Sequence, residues 1–190
     1  PNQILLALKK IMDTKTLVGE KTTQNYQQEF RNLFMALNSN PDYNEWCDLY
    51  KKLVYWELEM QKSDSPEMIE IFASQKEEAN SEFCKFVEKN YAKWVKPGNQ
   101  EAPIMSHTLM DKHLFPNIQK GNPLFFILID NLRWDQWKTI QAKFTESFRL
   151  QEEDLFCAIL PTSTQYSRNA IFSGLMPVDI EKSYPVEWKN

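Results

Sequence analysis

The chain has 190 residues, a formal net charge of −4, 42% hydrophobic and 13% aromatic residues. That is enough apolar material for a core in one or two domains, and the acidic balance argues against a nucleic-acid footprint. No apolar run approaches the ~20 residues of a membrane span, and no signal-peptide pattern is present. Three widely spaced cysteines, Cys47, Cys84 and Cys157, fit reduced thiols in a cytoplasmic protein better than a disulfide framework.

Residues 1–12 pattern as a short amphipathic helix with Ile4, Leu5, Leu8 and Ile11 on one face. So short a helix needs a body to pack on, so it reads either as a docking helix or as the last helix of an upstream domain. Three longer helices are expected over 13–95. The first carries Tyr26, Phe30, Leu33, Phe34 and Leu37 as a stripe, with Thr22 or Thr23 as its cap. Asp42 and Glu45 have the spacing of a capping box for the second, which turns Trp46, Leu49, Tyr50, Leu53, Trp56 and Met60 inward. Pro66 opens the third, which runs to about residue 94 with Phe72, Ala79, Phe83, Phe86, Val87, Tyr91 and Trp94 on its buried face. Short turns between such stripes define an antiparallel three-helix bundle. Aromatic residues at this spacing are core rather than chemistry, which gives the bundle a structural or interaction role.

Residues 96–122, with Pro97, Gly98, Pro103, Pro116 and Gly121, read as a linker with one short helix at 106–115. His107 and His113 are six residues apart and share no helical face, so a metal site there is disfavoured. Residues 123–190 carry an α/β pattern. The run LFFILI at 124–129 predicts a buried strand ending on Asp130. A helix over 132–144, a second buried strand over 156–160 and a helix opening near Thr164 follow. Residues 178–190 read as irregular surface. In an open α/β sheet, Asp130 and the hydroxyls Thr162, Ser163 and Thr164 lie at the carboxyl edge, where ligands bind. Asp130 there is either a metal ligand or a helix cap. The hydroxyls either cap their helix or sit beside an anion held by its N-terminus. Taken together they suggest phosphoryl transfer by a metal-activated hydroxyl.

The segment PTSTQYSRNAIFSGLMP (161–177) resembles the nucleophile segment of the alkaline phosphatase superfamily. In the nucleotide pyrophosphatase/phosphodiesterase branch it runs Pro-Thr-x-Thr, then a helix ending Gly-Leu-x-Pro, and the match is ungapped. The resemblance implies that Thr164 is the nucleophile and a metal ligand, and that Asp130 is the first metal-binding Asp of a two-zinc site. Arg133 and Asn169 are candidates for substrate contacts. The branch's phosphate-holding Asn falls on Ser167, a departure. DNLRWDQW (130–137) resembles the start of a PglZ domain. The order of PNQILLALKK, EKTTQNYQQEFR, YKKLVYWELE, SQKEEANSEF and a PglZ start is similar to PorX-type response regulators, in which a receiver, a helical bundle and a PglZ effector follow one another. That likeness implies that 1–12 is the last helix of a receiver and that 123–190 is the N-terminal part of PglZ. It implies a zinc site left incomplete and inactive without further ligands. It also implies a sensor histidine kinase, a sigma factor, type IX secretion and a homodimer as partners or context, with nucleotide or oligonucleotide phosphodiesters as substrates.

Overall fold

The computed structural model describes residues 25–62, 65–118 and 123–188. The expected helix at 1–12 and the Thr22/Thr23 cap lie outside them. The chain divides into two compact units, one up to Asn90 and one from Tyr91 onward.

The first unit is all helix: α1 (residues 25–37), α2 (Tyr43–Met60) and most of α3 (Pro66–Trp94). The capping box forms. Glu45 N–H donates to the Asp42 carboxylate at 2.9 Å, and Asp42 N–H donates to the Glu45 carboxylate at 2.8 Å. The core gathers Tyr26, Leu33 and Leu37 with Trp46, Leu49, Trp56, Met60, Met68, Phe72 and Ala79, while Phe83 and Phe86 flank it. Two expected core positions face water: Phe34 and Tyr50 are exposed, and Val54 is buried instead. The α2 stripe is therefore set by Trp46, Leu49, Val54, Trp56 and Met60. One buried polar link crosses the core. The Tyr26 hydroxyl donates to Gln75 Oε1 at 2.8 Å, and Gln75 Nε2 donates to the Phe30 carbonyl at 3.1 Å. The Tyr26 ring lies 5.2 Å from that of Trp56 and 5.7 Å from that of Phe72.

The second unit contains α4 (Phe115–Ile118), α5 (Trp134–Thr145), α6 (Thr164–Ser173), α7 (Pro177–Ser183) and α8 (Pro185–Trp188). The expected helix at 106–115 forms as a 3-10 turn, Ser106–Thr108, and a π segment, Met110–Leu114, running into α4. The stretch read as linker is thus partly core, since Met105 and Ser106 are fully buried.

Two expectations are corrected. The first is the pair of strands. Among the described residues no strand ladder forms, and the second strand is reduced to one parallel bridge, Met105 with Cys157. Residues 124–129 adopt no regular secondary structure and face solvent, with Phe125 90% and Ile127 75% exposed. An apolar run becomes a buried strand only when neighbours complete its hydrogen bonds and cover both faces, and the described residues offer no neighbouring strand. The second correction concerns 178–190. Pro177 occupies the first turn of α7, where its fixed φ suits a helix start, and Ile180 is buried. The C-terminal residues are therefore helical up to Trp188.

Candidate active site

Each candidate residue takes its position from local chain geometry. Asp130 and Asn131 form the corner of a turn closed by Leu132 N–H on the Ile129 carbonyl at 3.4 Å. Asn131 has φ +59°, a left-handed conformation that Asn tolerates better than most residues. The turn uncouples Asp130 from α5. The N-cap of α5 is Arg133, whose N–H donates to the Gln136 side chain at 3.0 Å. Asp130 is therefore not the cap of that helix. Its carboxylate lies 3.6 Å from the Arg168 guanidinium, both groups being about half exposed.

Arg168 stands one turn beyond Thr164 on α6, so the two share a helix face. The N-cap of α6 is Ser163, in extended conformation, and its hydroxyl makes no capping bond. Ser163 instead offers its carbonyl to the N–H groups of Tyr166 and Ser167 at 3.0 and 2.9 Å. Thr164 is the first helical residue and is exposed. At the other end Gly174, φ +68°, donates to the Ala170 carbonyl at 3.0 Å and closes α6 in the left-handed conformation that Gly adopts freely. The segment before Asp130 touches α6 as well: the rings of Phe126 and Phe172 meet edge-on at 6.1 Å.

The structure thus pairs Asp130 with Arg168, a residue of the helix that Thr164 begins. Arg168 was not singled out from the sequence, although its i+4 spacing from Thr164 was available. Arg133 lies elsewhere in its bonding. Its guanidinium grips Asp135 at 2.8 and 3.0 Å, and that bond holds the Asp135 carboxyl below the usual range. Asn169 is an exposed residue on α6. Ser167, at the position of the expected phosphate-holding Asn, is buried and bonded to Ser106 at 2.9 Å. Burial also depresses the His107 pKa.

A zinc ion takes four donors in a closed site, or three and an open position in a catalytic one. Asp130 and Thr164 offer two oxygens. Among the described residues no group of three or more His, Cys, Asp or Glu side chains could hold a metal ion. The described residues therefore do not make a zinc site by themselves.

Comparison with known families agrees with this layout. Residues 109–188 match the BREX system PglZ alkaline phosphatase-like domain, which places the second half of the chain in that class. Residues 16–95 match the PorX response regulator linker domain. With a PorX linker followed by a PglZ domain, the chain is a PorX-type regulator. No curated protein matches it. No helix among the described residues is long and apolar enough to cross a membrane.

Proposed function

We propose that the protein is a cytoplasmic two-component response regulator whose PglZ effector, an α/β domain of alkaline-phosphatase type, hydrolyses phosphodiesters or phosphomonoesters, with nucleotides or oligonucleotides as substrates. The observation that carries this is the juxtaposition of Asp130 with Arg168 on the helix that opens at Thr164, within the segment matching PglZ. Thr164 is the nucleophile. Its hydroxyl oxygen gives up its proton and attacks phosphorus, the bond from phosphorus to the ester oxygen breaks and that oxygen leaves as the alcohol, and water then cleaves the Thr164 Oγ–phosphorus bond and restores the hydroxyl. Arg168 and the first-turn N–H groups of α6 are suited to hold the non-bridging oxygens, because a helix N-terminus and a guanidinium both favour anions. Arg133 and Asn169 remain candidates for outer contacts to substrate.

A hydroxyl near its ordinary pKa is a weak nucleophile, and zinc, when bound, supplies the charge that activates it. Two ions are expected, with Asp130 and Thr164 giving two of the oxygens and the other donors coming from outside the described residues. Mass spectrometry after an acid-quenched single turnover tests the assignment. Phosphorylation or nucleotidylation of the Thr164 peptide is expected, and a wild-type burst with that peptide unmodified excludes Thr164.

A second reading gives the bundle a binding role, as a homodimer surface or a site for a sigma factor, under control of a sensor histidine kinase. It is favoured by the apolar side chains that the first unit leaves in water, Met35, Tyr55, Ile69 and Ile71 among them. Binding that survives Thr164→Ala but is lost on Met35→Glu is expected on this reading, and retention by Met35→Glu and Tyr55→Glu together contradicts it.

A further inference from the structure

Resting on the phosphoryl-transfer reading above, we propose that Ser106 is a positioning residue for the Thr164 loop, tying both of its ends with one hydroxyl. Ser106 is fully buried and lies far from Thr164 in the sequence. Its Oγ accepts from the Ile159 N–H at 3.1 Å and lies 2.9 Å from the Ser167 hydroxyl. Ile159 precedes the loop Leu160–Ser163, and Ser167 sits on α6 one turn into the helix that Thr164 begins. Ile159 is itself fully buried and Ser167 is buried. The tie is therefore shielded from water, and water cannot replace a bond that is lost there.

The reason for a side chain at this point lies in the ladder. Cys157 N–H donates to the Ile104 carbonyl at 2.8 Å beside the parallel bridge of Met105 with Cys157. A continuing parallel ladder would next join Ile159 N–H to the Ser106 carbonyl. The chain instead turns into a 3-10 helix at Ser106, and the Ser106 hydroxyl takes the carbonyl's place. The next amide is held the same way: Leu160 N–H donates to the Tyr91 hydroxyl at 2.7 Å. Two successive amides leading into the loop are thus fixed by side-chain hydroxyls, and the first of these hydroxyls also holds the helix on the far side. The Ser that replaces the phosphodiesterase branch's Asn at position 167 serves this tie rather than a substrate.

The test uses the full protein, zinc-loaded, with bis(p-nitrophenyl) phosphate as substrate, and amide hydrogen exchange read in parallel. Ser106→Ala is expected to lower kcat about tenfold to a hundredfold, the scale of a misplaced reacting group, with KM little changed. Exchange at Ile159 and in the first turn of α6 should quicken while the protein stays folded at the assay temperature. Ser167→Ala should lower kcat as well, and adding it to Ser106→Ala should change little, since both act through one link. Wild-type kcat and exchange in Ser106→Ala overturn the proposal, as does a kcat that falls only with the folded fraction. Where Ser106→Ala does not fold, Ser167→Ala and Tyr91→Phe decide, and wild-type kcat and loop exchange in both overturn it. Turnover indifferent to Thr164→Ala overturns the enzyme reading instead, and the exchange at Ile159 then still decides whether the tie exists.

Discussion

Tyr26 is the most informative single residue of the bundle. It is fully buried, its hydroxyl is committed to Gln75, and burial pushes its pKa up to about 12 from the usual 10. The folded state thus holds the phenolic proton more tightly than the unfolded chain. Stability from this group is complete below pH 10, and it falls as pH rises from 10 to about 12. Alkaline unfolding monitored by circular dichroism should show that decline, and Tyr26→Phe should remove it. The same variant leaves Gln75 Oε1 buried without its donor and should cost about 1–3 kcal/mol in urea unfolding. Thr164 and Asp130 stand out as candidates in the sequence because a motif with fixed spacing carries them. Arg168 does not, because an arginine in mid-helix announces nothing until a carboxylate is found across from it. Arg168→Ala is expected to lower kcat/KM for an anionic diester on the order of a hundredfold. A value near wild type would leave Arg168 as a surface cation.

Element by element, helices were the legible part and strands were not. The capping box at Asp42 and Glu45 and the Pro66 start of α3 are local signals, and local bonds realise them. Asp42→Ala should therefore cost about 1 kcal/mol in thermal or chemical unfolding, and no loss at all would mean that the box is not stabilising. Gly174 ends α6 in a left-handed conformation, while a Cβ there would meet only the His107 carbonyl at an ordinary 3.7 Å. The penalty of Gly174→Ala is thus in the backbone rather than in packing, about 1–2 kcal/mol. A strand is a different matter. LFFILI carries the tendency to form a strand, but pairing depends on a neighbour that no window of sequence names. Residues 178–190 err in the opposite direction: they read as irregular surface, whereas Pro177 at the first helical position starts α7.

At the scale of the whole molecule, the bundle and the PglZ unit divide the labour between an aromatic helical core and a loop held at the opening of a helix. The expectation of two parts came from composition, because the helical stripes stop where proline and glycine begin. The finer boundary was not legible, since Met105 and Ser106 lie in a stretch that reads as linker and yet pack as core. Burial of Ser106 arises from a partner, Ser167, 61 positions away, a separation that periodicity cannot register. On the proposed function, Thr164 is the nucleophile of a zinc-dependent phosphodiester hydrolysis. The most direct measurement compares hydrolysis of a chromogenic phosphodiester by the full protein and by its Thr164→Ala variant, each with zinc and after chelation. The expected result is turnover by wild type that chelation abolishes, and a loss of roughly a thousandfold or more in Thr164→Ala. Zinc-dependent turnover at the wild-type rate in Thr164→Ala would contradict it.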